Sequence, residues 1–280
     1  MQILDEKSLK RVIQVRPLNS HKGNFGKILT VGGTRQYGGA IIMSTSAAIH
    51  AGAGLVSCAS SPLNLTALHT IVPEAMFIDS TVAKELRQAV AAADVIVIGP
   101  GLGTSAHSLE ILSTVLQNTH KEQFLIIDGS AITLLADNRE LLALLHGLQV
   151  VFTPHQMEWQ RLSGIQISAQ TNAQNLHVQQ ALKATVVLKK YQTVIYHLDG
   201  SIAQLKTGGP YMATGGMGDT LTGIIAAFLG QFHTSTPEQV VDAAVYIHSA
   251  IAAELSRSRY VVLPTDIIGK LQEFMLHALK

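Results

Sequence analysis

The chain has one cysteine in 280 residues, so no internal disulfide can form. Cys58 sits in the apolar run Leu55–Ala59 and reads as a small buried hydrophobe, which points to a reducing, cytoplasmic setting. Charge of one sign is also missing. Lys and Arg number 20 against 19 Asp and Glu, a net +1 with no basic block, so no nucleic-acid partner is expected. No apolar run spans a membrane: the longest weakly polar stretch, Ala40 to Ala59, is broken by Ser44, Thr45, Ser46 and His50. Met1 to Lys7 has no apolar core of signal-peptide length, and a soluble, unprocessed protein is expected. None of the 12 His residues makes the i, i+4 pair with Glu of a zinc protease, and Cys58 has no partner thiols, so no metal ligand is assigned. A Gly-x-x-x-x-Gly-Lys-Ser/Thr run is absent, which excludes a P-loop.

What remains is 47% hydrophobic and 14% charged, the balance of a large covered core. Short apolar runs alternate with helical patterns, as in a mostly parallel sheet covered by helices. The pattern predicts strands over Lys27–Val31, Leu55–Ala59, Val95–Ile98, Leu125–Ile127, Val150–Phe152, Thr185–Leu188 and Thr193–His197. Asp199-Gly200 is a hairpin turn leading into Ser201–Leu205, an antiparallel edge. Helices are predicted over Ala40–His50, Val82–Ala93, Ser108–Gln117, Glu140–Leu144 and Asn172–Lys183. Three more follow, Asp219–Leu229, Pro237–Leu255 and Thr265–Leu276, with Gly223 and Gly269 weakening two of them. No linker or repeat divides the chain, so residues 1–280 are expected to form one domain.

The segment Thr214-Gly215-Gly216-Met217-Gly218-Asp219-Thr220 opens a predicted helix. Three glycines leave its orphan N–H groups bare, a phosphate-sized anion socket at Gly215, Gly216, Met217 and Gly218. Asp219 repels a phosphate there unless it takes a proton or holds a cation, which points to phosphoryl chemistry. An ordinary acidic helix start is the plainer alternative, but it does not need three glycines in four positions. Ligands of parallel sheets gather beyond the carboxyl ends of strands. Here those loops are Gly32 to Ala40, Gly99 to Gly103, Asp128-Gly129-Ser130 and Thr153 to Glu158. Gly99 to Gly103 is a partial dinucleotide fingerprint or a tight turn, His155 faces a ligand or caps a helix, and Lys189 and Lys190 flank a nucleotide or end a strand.

In order, Arg16-Pro17, Ser20-His21-Lys22-Gly23, Gly38-Gly39-Ala40, Ala51 to Val56, Gly99-Pro100-Gly101-Leu102-Gly103, Thr153-Pro154-His155, Leu188-Lys189 and Ala213 to Asp219 resemble the NAD(P)H-hydrate dehydratases, a ribokinase-like family. The resemblance implies a three-layer α/β/α sandwich and repair of hydrated NADH or NADPH. In that family ADP or ATP, with Mg²⁺, phosphorylates the ring hydroxyl, and loss of phosphate restores the double bond. By this likeness Asp219 is the base; Ala40, Gly103 and His155 join it in contacting the hydrated cofactor. Lys189, Lys190, Tyr191, Gln192, Thr193 and Gly218 contact the nucleotide. It further implies a homotetramer and a separate epimerase acting on the same metabolite. Met157, Lys190 and Gly209 depart from the usual pattern, and Asp128-Gly129-Ser130 lacks a second acid. Two alternatives stay open: a kinase of a vitamin-precursor alcohol, which the same socket serves, and a non-catalytic nucleotide-binding module.

Overall fold

A computed structural model describes residues 1–280. Ten strands form one sheet: β1 (Gln2–Ile3), β2 (Lys27–Val31), β3 (Leu55–Ser60), β4 (Met76–Asp79), β5 (Val95–Ile98), β6 (Phe124–Ile127), β7 (Gln149–Phe152), β8 (Thr185–Leu188), β9 (Val194–Tyr196) and β10 (Ile202–Gln204). Their order is β1-β10-β9-β8-β7-β6-β5-β2-β3-β4. Only β9 runs against its neighbours, so the predicted hairpin is present, with the two-residue β1 added in parallel outside it.

The helices follow the alternation. In chain order they are α1 (Glu6–Lys10), α2 (Gly38–His50), α3 (Leu65–Ile71), α4 (Ala83–Ala92), α5 (Ala106–Asn118) and α6 (Gly129–Asp137). Then come α7 (Gln156–Ser163), α8 (Asn172–Leu182), α9 (Met217–Gln231), α10 (Pro237–Leu255) and α11 (Pro264–Ala278). Successive strand residues point to opposite faces, and the core divides accordingly. Ile28, Val56, Val95, Val97 and Ile126 pack under α1, α2, α9, α10 and α11. Leu29, Val31, Ile96, Ile98 and Ile127 pack against α4, α5, α6 and α7. Cys58 is buried beside Ile41 and Leu68, the small-hydrophobe role its sequence suggested.

Several elements differ from the sequence expectations. Glu140–Leu144 is the middle of a 3-10 stretch, Arg139–Leu145. β1, β4, α1, α3 and α6 were not predicted, and of α7 only the start at His155 was. β4 is a partly exposed edge strand too short to show a period, and α6 opens on Gly129 and Ser130, which read as loop. Gly223 and Gly269 interrupt nothing. α2 crosses α9 so closely that a Cβ at Gly223 would collide with the Ser44 carbonyl oxygen and lie 2.9 Å from Ala47 Cβ. Gly223→Ala is therefore expected to lower the unfolding free energy by about 1–3 kcal/mol, because the obstacle is backbone and cannot rotate away. Gly269 meets nothing within 4 Å, and Gly269→Ala should gain up to about 1 kcal/mol of helix propensity. Urea unfolding followed by the single, fully buried Trp159 reads both; a stable Gly223→Ala variant would contradict the close crossing.

Candidate active site

β2 lies between β3 and β5, the topological switch point at which parallel sheets of this kind are expected to offer a ligand crevice. The loops after β2 and β5 are tied across it. The Gly33 and Thr34 N–H groups donate to the Pro100 and Gly101 carbonyls at 3.0 and 2.8 Å. Gly101, at φ +63°, sits where a Cβ would collide with the Tyr37 carbonyl and come within 3.1 Å of Ala40 Cβ. Ala40, in the first turn of α2, and Gly103, in the loop after β5, are both half-buried where these segments interlock.

α9 begins beside this switch point. Gly216 takes the left-handed conformation, φ +94° and ψ −9°, and no side chain caps the helix, so its first N–H groups have no side-chain acceptor. Gly215 is open to solvent, while Gly216 packs against Met43 of α2 and Pro264. A Cβ on Gly218 would lie 2.8 Å from Lys189 Nζ and 3.7 Å from Asp128 Oδ2.

Four charged groups meet here: Asp128 after β6, Glu158 in the first turn of α7, Lys189 after β8 and Asp219 at the start of α9. Lys189 Nζ donates to Asp128 Oδ1 at 2.7 Å, and the Thr153 hydroxyl donates to the same oxygen at 2.8 Å. Burial disfavours the Lys189 cation, but Asp128, Glu158 and Asp219 outweigh it and hold the pKa above that of a free lysine. Burial likewise pushes Glu158 above the ordinary carboxylate range. Asp219 rises to about 6, first through burial and then through repulsion by Asp128, with Lys189 opposing and Glu158 reinforcing.

A cavity of about 700 Å³ adjoins the cluster. Its walls include His155, the whole segment Lys189 to Thr193, Met217 and Gly218. Leu221, Val245 and Met212 give it an apolar side, and His248 of α10 closes it. That ring is buried and pushed down to about 4 by burial and then by Lys189, so it is neutral. Its Nε2 has no partner.

The structure therefore gathers most of the sequence candidates without placing them in one chamber. His155, Lys189, Lys190, Tyr191, Gln192, Thr193, Met217 and Gly218 line the cavity; Asp219 is one residue further along α9; Ala40 and Gly103 stand outside it, at the β2/β5 switch point. His155 is a helix cap. Its Nδ1 accepts from the Met157 and Glu158 N–H groups at 3.2 Å, and its Nε2 lies 3.2 Å from Glu158 Oε1. Asp128, Thr153, Glu158 and His248 were not singled out from sequence. The first three stood in loops already under suspicion, whereas His248 is hidden in the apolar pattern of α10. The leading motif around Arg16 proves structural: the guanidinium stacks 3.8 Å over Phe25 and bonds to Gly52 and Gln231, and His21 caps the turn Lys22–Phe25.

The family profile described as NAD(P)H-hydrate dehydratase matches residues 28–273. The chain belongs to the NAD(P)H-hydrate dehydratase family. A relative from Lactiplantibacillus plantarum, known as an ADP-dependent (S)-NAD(P)H-hydrate dehydratase, is 48% identical over 275 residues, 98% of this chain and 97% of its own length. A bifunctional NAD(P)H-hydrate repair enzyme of Vibrio cholerae is 34% identical, and there the match covers 54% of the relative. Among solved structures, a ribokinase-like protein of Enterococcus faecalis superimposes with TM-score 0.93 at 47% identity, covering 99% and 96% of the two chains. The Bacillus subtilis ADP/ATP-dependent dehydratase, co-crystallised with ATP and Mg²⁺, shares the fold of this dehydratase family member with TM-score 0.84 at 24% identity, covering 99% and 98%. The expected ribokinase-like sandwich is thus borne out.

Proposed function

We propose that this chain is an ADP-dependent (S)-NAD(P)H-hydrate dehydratase acting through the α9 start. The observation that carries the reading is a raised carboxylate, Asp219, at a glycine-bared helix start beside a cavity of nucleotide size. The adenine nucleotide occupies that cavity against Lys189 to Thr193 and Gly218. The hydrated cofactor contacts Ala40 and Gly103 at the switch point and His155 on the cavity wall. Asp219 draws the proton from the ring hydroxyl while its oxygen attacks the terminal phosphorus of ADP, and AMP leaves. The N–H groups of Gly216, Met217 and Gly218, with the Gly215 turn before them, receive the phosphoryl oxygens. Departure of phosphate with its C–O electron pair, and loss of a proton from the neighbouring ring carbon to water or to the departing phosphate, then restore the ring double bond.

Glu158 is the carboxylate beside the cluster that would offer Mg²⁺ the oxygen ligands a hard cation takes, while Asp219 stays free as the base. The ion would supply neutralisation of the nucleotide's phosphate charge. The same reading extends to the cytoplasm, a homotetramer of single-domain subunits and a separate epimerase feeding the S form. No helix is long and apolar enough to cross a membrane.

Hydrated NADH incubated with the protein, Mg²⁺ and either ADP or ATP should regain the absorbance of the reduced nicotinamide, faster with ADP. No recovery with either donor rejects the reading, and a stable phosphorylated alcohol points to the kinase alternative. The pH dependence follows from Asp219. The base works only when ionised, so with a pKa of about 6 the acid limb of kcat/KM should bend near pH 6, losing about tenfold per unit below it. A limb near pH 4, where an ordinary aspartate titrates, contradicts the role.

A further inference from the structure

We propose that Asp128, braced by Thr153, is a positioning residue that fixes the Lys189 ammonium at Gly218 as a ready-made positive charge for the transferred phosphoryl group. The inference rests on the dehydratase reading above and deepens it. Asp128 is 3% exposed, and its Oδ1 serves both Lys189 Nζ at 2.7 Å and the Thr153 hydroxyl at 2.8 Å. The three residues stand at the ends of adjacent strands whose backbones are themselves locked. The Asp128 N–H donates to Ile98 O at 3.0 Å, Thr153 N–H to Ile127 O at 3.1 Å and Lys189 N–H to Pro154 O at 2.8 Å.

A lysine is ordinarily a floppy cation that loses rotamer freedom when a ligand pins it. Here the carboxylate has already chosen the rotamer, and the ammonium lies 2.8 Å from where a Cβ on Gly218 would stand. An ammonium has three donors, and Asp128 Oδ1 takes one, leaving others for phosphoryl oxygens arriving at the α9 start. Charge fixed before the reaction stabilises a transition state without reorganising during it. The groups facing Lys189 are Asp128, Glu158 and Asp219, which keep it charged, and the neutral His248. Asp128 also keeps Lys189 from pairing with Asp219, the carboxylate that must stay free to accept a proton.

A double-mutant cycle tests this. Asp128→Asn should lower kcat at least 100-fold while the affinity for ADP, measured by calorimetry without substrate, changes less than fivefold. In a Lys189→Met background the same substitution should cost threefold or less, because its effect passes through the lysine. Equal losses in both backgrounds, or a kcat kept within threefold, overturn the proposal; a merely structural pair would give additive losses and a shared fall in Tm. Should Asp128→Asn fail to fold, Thr153→Val replaces it in the cycle, with kcat expected to fall at least fivefold alone and to be unchanged beside Lys189→Met. A wild type that restores no NADH with either donor overturns the parent reading and this one together, whereas an active wild type with an additive cycle overturns this one alone.

Discussion

Asp219→Asn should yield a folded protein that binds ADP normally and turns over about 10³- to 10⁴-fold more slowly, the span a general base commands at its upper end. Asn keeps the shape and removes only the proton acceptor. The same change should make the protein more stable, and the sign follows from the raised pKa. Between the unfolded value of 3.8 and the folded value of about 6, the native state keeps a proton that the unfolded chain has released, so stability falls as pH rises through this window. Above pH 6 the loss is complete. A shift of about two units corresponds to about 3 kcal/mol as a ceiling, lessened by the solvent that reaches this half-buried side chain. Asn never ionises, so its Tm advantage should be present at pH 8 and vanish at pH 4. Paired melting curves at the two pH values check it, and an advantage independent of pH contradicts it. A site that sacrifices stability for a working carboxylate is expected of an active centre.

Gly218→Ala is the second large effect, and its signature is the reverse. The new Cβ would stand 2.8 Å from Lys189 Nζ, so something must move, and the flexible lysine tip yields more easily than the strand ends beneath it. Stability should change by less than about 1 kcal/mol. Activity should fall about 100-fold, because the cation and the N–H groups that face the phosphoryl oxygens are displaced together, and preorganised donors of this kind contribute about that much each. ADP affinity should weaken as well, since Gly218 lines the nucleotide cavity. Kinetics and melting measured on one preparation separate this from unfolding. A variant with full activity shows that the phosphoryl group does not pass between Gly218 and Lys189.

Much of this was legible in the sequence because the parallel sheet repeats one rule. Continuous apolar runs such as Val95–Ile98 and Thr185–Leu188 are strands buried on both faces, and their boundaries match. The loops after them could be nominated before any coordinates, and Asp128, Thr153, His155 and Lys189 do lie at successive strand ends. Elements with weak periods escaped: β4 at the sheet edge, α6, whose opening reads as loop, and the body of α7 beyond its His155 cap. Individual roles were less legible, because they depend on partners distant in sequence. Nothing near Asp128 in the chain announces Lys189, 61 residues away. Nothing in α10 marks His248 as a cavity wall rather than core. Conversely, Gly223 looked like a flaw in a helix, and only the crossing of α2 gives it a reason.

The most direct measurement follows phosphorus and nicotinamide together, by ³¹P NMR and absorbance, as the wild type acts on hydrated NADH with ADP and Mg²⁺ at pH 7.5. The account predicts one AMP and one phosphate for each NADH restored, with all three arrested in Asp219→Asn. NADH restored without consumption of ADP, or restored at the wild-type rate by Asp219→Asn, would contradict it.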